Sequence, residues 1–190
     1  MSAFPRFKQV IQAVSFLSDD DCRQFEPHLR LLRLDRRTRW LEAGTVARHI
    51  GFVHAGLLRV YYLHDGGERN THFALENDFV TEYGSLLTGQ PSMYHIEAVE
   101  DSELVVFDAA TLAAAYETSH AWEKFGCLMA EEAYRLMAAR TASLLFMDAR
   151  TRYEQLLEDH PDWVQRIPLY HLASYLGIER ESLSRIRRQR

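Results

Sequence analysis

The chain has 190 residues, of which 47% are apolar and 26% charged, and its net charge is −5 at neutral pH. This composition is typical of a globular protein with enough apolar material for one domain or two small ones. No apolar run approaches the ~20 residues that span a bilayer, and residues 1–12 lack the pattern of a signal peptide. We therefore expect a cytoplasmic protein without a membrane partner.

Cysteine and histidine offer no pattern typical of a metal or redox centre. Cys22 and Cys127 are far apart and show no CxxC spacing, which favours small buried groups over a disulfide or metal site. An iron–sulfur cluster normally needs more than two thiolates. The nine histidines form no HExxH pair. We therefore expect no metal and no cofactor.

The N-terminal part begins with helical patterns and continues with strands. Residues 3–13 have apolar side chains at helical spacing, and Ser18 is an N-cap for a second short helix to about Leu29. Runs rich in Val, Ile, Phe and Tyr follow, and the turn residues between them predict an antiparallel barrel, sandwich or roll. Asp65-Gly66-Gly67-Glu68 is a hairpin signal. The predicted strands cover residues 31–34, 49–54, 57–64, 70–75, 93–99 and 103–107.

From Asp108 onward the pattern is helical. Residues 109–118 are alanine-rich, and residues 121–146 predict a long helix of ~39 Å. Two of its faces are partly apolar, so it needs two surfaces to pack against. These are its own β-domain and a twin helix of a second subunit, although a helix buried within one monomer stays open. The rough heptad seam comprises Phe125, Met129, Glu132, Leu136, Ala139, Ser143 and Phe146, and the second face contains Leu128, Leu144 and Leu145.

A helix-turn-helix is predicted at the C-terminal end, after a further helix over residues 148–160. Pro168 suits the first turn of a helix, whose apolar face comprises Leu169, Leu172, Ala173 and Leu176. Gly177 ends this helix, and a second helix starts near Glu179 or Arg180. Two short helices joined by a tight glycine turn are the plan of a DNA-reading motif, although a helical hairpin that caps a core has the same spacing.

The second helix of this motif carries side chains that suit DNA. Arginine grips guanine bidentately, glutamate accepts from cytosine, and serine and further arginines suit phosphates. Residues 179–190 have a net charge of +3 and the rest of the chain −8, which is typical of a local DNA footprint. A solvated basic tail would give the same charge pattern. The candidate DNA-binding residues are Arg180, Glu181, Ser182, Ser184, Arg185 and Arg188.

The segment from Gly177 to Ile186, GIERESLSRI, resembles the recognition segment of Crp/Fnr-family transcription regulators. In that family the pattern Arg-Glu-x-x-x-Arg contacts the bases of TGTGA-like half-sites, and the matching positions are Arg180, Glu181 and Arg185. The resemblance implies an α+β chain. It has an N-terminal antiparallel β-roll like a cyclic-nucleotide-binding jelly roll with flanking helices, a long dimerisation helix and a C-terminal helix-turn-helix. Gly44, Gly56 and Gly66 stand where the family has its roll glycines.

The resemblance breaks at the ligand pocket, which comprises Glu82, Tyr83, Ser92 and Met93. Glu82 matches the glutamate that holds the ribose in relatives that bind cyclic nucleotides. Thr81 replaces the preceding glycine, Ser92 stands in place of the phosphate-binding arginine, and Met93 replaces a Ser/Thr. Because the charged bidentate partner of the phosphate is missing, we expect no response to cyclic AMP. The effector stays unassigned.

The resemblance assigns residues 1–118 to the sensor roll, 119–146 to the dimerisation helix and 147–190 to a DNA-binding domain that lacks the usual wing. We expect a non-enzymatic homodimer that binds a palindromic duplex, with RNA polymerase as a further candidate partner. One alternative is a ligand-binding roll whose DNA binding is weak or lost. A cupin-like enzyme is another, since its metal could use His49, His54, His72 and His95, but these lack HxH spacing.

Overall fold

The computed structural model describes residues 4–189, so Ala3, the first residue of the predicted N-terminal helix, and Arg190 of the basic tip lie outside the described residues. The order of elements is two helices, a β-rich region that contains one short helix, and then six helices. The strands are β1 (Arg30–Leu34), β2 (Arg39–Leu41), β3 (His49–Ala55), β4 (Leu58–His64), β5 (Gly67–Ala74), β6 (Phe79–Val80), β7 (His95–Ala98) and β8 (Ser102–Asp108).

The helices lie mainly in the second half of the chain. A single 3₁₀ turn, Glu26–His28, follows the second helix, so that helix ends at Phe25 and is shorter than the predicted span to Leu29. The helices are α1 (Pro5–Val14), α2 (Asp19–Phe25), α3 (Tyr83–Thr88), α4 (Ala109–Thr118), α5 (His120–Phe146), α6 (Ala149–Asp159), α7 (Pro161–Arg166), α8 (Leu169–Leu176) and α9 (Arg180–Arg188).

The strands form two four-stranded sheets, in the orders β1-β8-β3-β6 and β2-β7-β4-β5. The pairs β1–β8, β3–β8, β3–β6 and β2–β7 are antiparallel. The predicted hairpin lies between β4 and β5, where Asp65 and Gly66 both have positive φ, at 50° and 73°. Two consecutive residues with positive φ match the right-handed twist of the flanking strands. The roll predicted from the strand pattern is confirmed.

Strand β8 is buried on both faces, which explains its unbroken apolar run. Leu104 and Val106 belong to a core that both sheets share, with Val53, Leu58 and Ile96 among its members. Because side chains alternate along a strand, Val105 and Phe107 face the opposite side. There they pack with aromatic and aliphatic side chains of the helices, namely Phe7, Ile11, Phe25, Leu112, Trp122 and Phe125.

Helix α5 is long, as predicted, but the predicted seam is wrong in its first half. Phe125 is buried in the helix-covered core, and Met129 packs against the same core. These two side chains therefore belong to the roll. The exposed apolar side chains of α5 lie further along, and they include Tyr134, Met137 and Leu145.

The described chain divides into two compact units. The first comprises the described chain up to Val60 together with Phe73–Glu132, and the second comprises Tyr61–His72 together with the described chain from Ala133 onward. The end of the β4–β5 hairpin therefore belongs to the same compact unit as the C-terminal helices.

Candidate nucleic-acid interface and ligand pocket

The turn between α8 and α9 is a Schellman motif. Gly177 has φ of +68° and ends α8 in the left-handed conformation, which glycine adopts without a Cβ penalty. Its N–H donates to the carbonyl of Ser174 at 3.1 Å, and the N–H of Ile178 donates to that of Ala173 at 3.0 Å. Helix α9 then starts at Arg180. Pro168 occupies the N-cap of α8, one residue before the first turn where the sequence predicts it.

The inward and outward faces of α9 are distinct. Leu183 is fully buried, and Ile186 is partly buried one turn further along. At 100° per residue, Glu181, Arg185 and Arg188 lie within about 40° of the direction opposite Leu183. All three are exposed, as is Arg180, while Ser182 and Ser184 are partly exposed. Among residues 4–189 the four charged side chains form no ion pair. The six predicted DNA-binding residues therefore share one short helix with an accessible polar surface.

Two arginines hold the C-terminal end of α8, and the sequence analysis missed both. The last carbonyls of a helix lack intrahelical partners, and cations stabilise them. Arg152 of α6 donates from Nε to the carbonyl of Leu176 at 3.0 Å. Arg140 of α5 donates to the carbonyl of Tyr175, and its guanidinium lies 3.9 Å from the centre of the Tyr175 ring. The amphipathic pattern of α5 and α6 gives no signal for these contacts, because they depend on tertiary structure.

The candidate ligand pocket begins with Glu82, which caps α3. One carboxylate oxygen accepts the N–H of Gly84 at 3.0 Å, and the other accepts the N–H of Ser85 at 2.7 Å. An N-cap side chain satisfies donors that the first helical turn leaves without partners. Both oxygens of Glu82 are therefore engaged in local structure.

The other pocket residues differ in exposure. Ser92 is buried, and its hydroxyl donates to the carbonyl of Tyr94 at 3.0 Å and accepts the N–H of the same residue at 2.9 Å. The backbone of Ser92 exchanges two hydrogen bonds of 2.8 Å with Gly44 and Thr45. Met93 is 75% exposed and Tyr83 39% exposed. Ser92 thus fixes a loop, while Met93 and Tyr83 face solvent.

One buried arginine does lie in the roll, on β4 rather than beside Ser92. Arg59 is 4% exposed, and its Nε and Nη2 both donate to Glu97 of β7, at 3.1 and 2.9 Å. The other carboxylate oxygen of Glu97 lies 3.8 Å from Arg39. The charge of Arg59 is therefore balanced within the sheet. The sequence signal for this pair was weak, because each residue is one polar position in an alternating strand.

Two negative observations apply to residues 4–189. No group of three or more His, Cys, Asp and Glu side chains lies close enough together to hold a metal ion. None of the described helices is long and apolar enough to span a membrane.

Comparison with known proteins shows a domain-model match and a shared fold. Residues 31–119 match the family model "Cyclic nucleotide-binding domain". FixK2 from Bradyrhizobium japonicum superposes with a TM-score of 0.74 at 19% identity, covering 85% of this chain and 83% of that one. The c-di-GMP-responsive regulator CLP from Xanthomonas campestris superposes at 0.71 and 18% identity, covering 90% and 91%. A crp/fnr-family structure from Eubacterium rectale superposes at 0.70 and 18% identity, covering 92% and 83%.

A search of curated protein sequences finds no match. The likeness to known proteins therefore rests on the domain match and on the three-dimensional superpositions, which cover 85% and 90% of this chain for FixK2 and CLP. Residues 31–119 thus resemble a cyclic nucleotide-binding domain, and the described chain has the fold seen in solved structures of Crp/Fnr-family regulators.

Proposed function

We propose that this protein is a homodimeric, sequence-specific DNA-binding transcription regulator that does not respond to cyclic AMP. The observation that carries the proposal is α9: a short helix behind a Schellman turn, with Leu183 buried and Glu181, Arg185 and Arg188 exposed. A helix with this division of faces fits a major groove, where arginine and glutamate distinguish base pairs. The regulators that share the fold support the same assignment.

Dimerisation is supported by the exposed part of α5. Cys127, Ala130, Tyr134, Met137, Thr141 and Leu144 follow one another at spacings of three and four residues, the repeat of a coiled-coil seam. Tyr134 is 74% exposed and Met137 69% exposed. A parallel twin helix would bury these side chains. In such a dimer we expect the two copies of α9 to enter half-sites one helical turn, about 34 Å, apart.

Within this proposal the roll up to residue 118 is the sensor, residues 119–146 form the dimer helix and residues 147–190 read DNA. RNA polymerase is a further partner, and the cytoplasm is the compartment.

The insensitivity to cyclic AMP is supported by Glu82 and Ser92. Their polar atoms are engaged in local hydrogen bonds, and the buried Arg59 of the roll donates to Glu97.

DNA binding is tested by fluorescence anisotropy with a labelled palindromic duplex of two TGTGA half-sites and with a scrambled duplex, over a salt series. We expect the palindrome to be preferred at physiological salt, and the affinity to fall as salt rises because counterions are released. Glu181→Ala should reduce the difference in affinity between the palindrome and the scrambled duplex, since it removes a hydrogen-bond acceptor for cytosine. Equal binding of both duplexes would favour the alternative, a ligand-binding roll whose DNA binding is lost.

The native cysteines test the dimer seam. Cys127 is exposed and lies on the proposed seam, while Cys22 is buried. In a parallel pair the two Cys127 side chains face each other at one level, so diamide should give a disulfide-linked dimer on a non-reducing gel. Cys127→Ser should abolish the product and Cys22→Ser should keep it. A monomer in sedimentation at micromolar concentration would contradict the dimer.

A further inference from the structure

Strand β5 is an edge strand, and its part up to His72 belongs to the second compact unit, where it contacts the C-terminal helices of the same unit. The hydroxyl of Ser174 on α8 donates to the carbonyl of Glu68 at 2.7 Å and accepts the N–H of Asn70 at 3.0 Å. An exposed edge strand leaves backbone groups without partners, and here a helix side chain supplies them. Glu68, Asn70 and His72 alternate along β5 and therefore share a face.

Histidines line this contact. His72 meets the edge of the Trp163 ring, with centroids 6.2 Å apart, and His160 stacks on the same ring at 4.2 Å and 15°. Asn70 and His171 are both buried, and their Nδ2 and Nδ1 atoms lie 3.3 Å apart. We call the set of Asn70, His72, His160, Trp163 and His171 the histidine seam.

The two histidine contacts respond differently to a proton. The Asn70 amide can present its NH₂ to a neutral His171 or, once flipped, its oxygen to a protonated one. Its Oδ1 atom has no hydrogen-bond partner among residues 4–189, so it is available for that role. The pair therefore tolerates either state of His171. His72 has no such partner in its contact with Trp163.

His72 lies in surroundings that oppose its charge. Burial lowers its pKa to about 4, and His160 lowers it further. His160 belongs to the corner between α6 and α7, where Asp159 acts on the hydroxyl of Tyr175 instead and Asp162 is exposed. From α5, Arg140 is engaged with Tyr175. Burial and His160 thus both oppose a positive charge on His72.

We propose that the histidine seam is a proton-sensitive brace that fastens β5 to α7 and α8, holds the helix-turn-helix in place at neutral pH and releases it on acidification. The regulatory part rests on the proposed DNA-binding function. The seam contacts α8 and leaves Glu181, Arg185 and Arg188 of α9 exposed. The closed seam is therefore compatible with DNA, and its opening weakens binding.

The direction and range of the effect follow from proton linkage. A free histidine has its pKa near 6.5, so the open seam binds a proton below that pH, whereas the closed seam binds it only near pH 4. The stabilisation that the neutral His72 contact gives to the closed seam has its full value above pH 6.5, and it is lost as the pH falls toward 4. Between about pH 7.5 and 5.5 the equilibrium shifts about tenfold toward the open form.

The test follows Trp163 emission from pH 8 to pH 4.5, taken as the difference between wild type and Trp163→Phe, with far-UV circular dichroism as a check on folding. We expect a transition below about pH 6.5 in the wild type. His72→Gln should abolish it. His64→Gln, which alters an exposed histidine near the hairpin turn, should keep it. His160→Gln should move the transition to lower pH or reduce it, because loss of the neighbouring charge raises the pKa of His72 in the closed seam and so weakens the proton uptake that drives opening.

DNA affinity is measured over the same range in the same variants. We expect the DNA affinity of the wild type to fall by up to about tenfold between pH 7.5 and 5.5, and that of His72→Gln to fall by less. The absence of a Trp163 transition, or one that persists in His72→Gln, would overturn the proposal whether or not DNA binds. A normal transition with DNA affinity that is equally pH-dependent in wild type and His72→Gln would overturn the regulatory part alone. Absence of DNA binding at every pH would refute the proposed function and leave the fluorescence result valid.

Discussion

The ligand pocket of the roll and the surface of α9 use polar side chains in opposite ways. In the pocket, Glu82 and Ser92 direct their polar atoms to backbone groups of their own loops. On α9, Arg185 and Arg188 are exposed and form no ion pair within residues 4–189. A side chain whose hydrogen-bonding capacity is used internally stabilises the fold, whereas one left in solvent is available to a partner. Substitutions in the roll should therefore change stability, and those on α9 should change DNA affinity.

The largest effect is expected at Gly56, in the turn between β3 and β4. Its φ is +103°, and an added Cβ would lie 2.2 Å from Ser102 Oγ and 2.7 Å from Ser102 Cα. Gly56→Ala should lower the free energy of unfolding by about 3 kcal/mol or more, through backbone strain and overpacking. Chemical denaturation of the purified variant measures it.

Gly44→Ala is the matched control. This residue also has a positive φ, +87°, but nothing lies within 4 Å of an added Cβ. Only the backbone strain of a positive φ remains, so we expect the free energy of unfolding to fall by about 1 kcal/mol. Equal losses in the two variants would mean that the close approach to Ser102 does not constrain the roll.

At the DNA end, Arg185→Ala should reduce affinity for the palindrome while the melting temperature stays unchanged. A bidentate arginine–guanine contact contributes about 1–3 kcal/mol of discrimination, so we expect a loss of affinity of roughly 5- to 150-fold. Anisotropy titrations at fixed salt measure it. Arg33→Ala removes another exposed arginine, which pairs with Glu103 on the neighbouring strand, and should leave affinity nearly unchanged. Similar losses in both variants would indicate binding through general charge rather than through α9.

Glu82→Ala separates a capping role from a ligand-binding role. Loss of an N-cap side chain lowers stability by about 1 kcal/mol, which thermal unfolding detects. Glu117→Ala, which removes an exposed carboxylate from α4, should change stability by less than about 0.5 kcal/mol. If Glu82→Ala behaves like Glu117→Ala, the two hydrogen bonds to the start of α3 contribute little to the fold.

Local patterns predicted most of the fold. The alternation of the strands, the Asp65-Gly66 turn and the alanine-rich α4 depend on neighbouring residues, and the structure confirms them. Strand β2 and the short helices α3 and α7 were not predicted, because three to six residues carry too little periodicity. The predicted seam of α5 failed at Phe125 for another reason. An apolar stripe does not reveal which partner covers it, and here the roll covers the first part.

The candidate site shows the same division. Periodicity and charge predicted the exposed face of α9, because a helix sorts its own residues into faces. They did not predict that Arg140 and Arg152 hold the end of α8, nor that Arg59 pairs with Glu97. Each of these contacts joins residues that are distant in sequence. A lone arginine in a helix or strand gives no indication of its partner.

The smallest effect is expected at the ligand pocket of the roll, where a receptor for cyclic nucleotides would show its largest change in stability on ligand addition. We expect no thermal shift on addition of cyclic AMP, whereas a ligand at a hundred times its Kd would stabilise the fold by about 2.7 kcal/mol. Ser92→Arg should not create a response, because Ser92 is buried and its hydroxyl holds Tyr94. A larger side chain there should lower the melting temperature instead. A rise in melting temperature with micromolar cyclic AMP in the wild type would show that Glu82 and backbone amides suffice for the phosphate, and the contrast between the two ends would then fail.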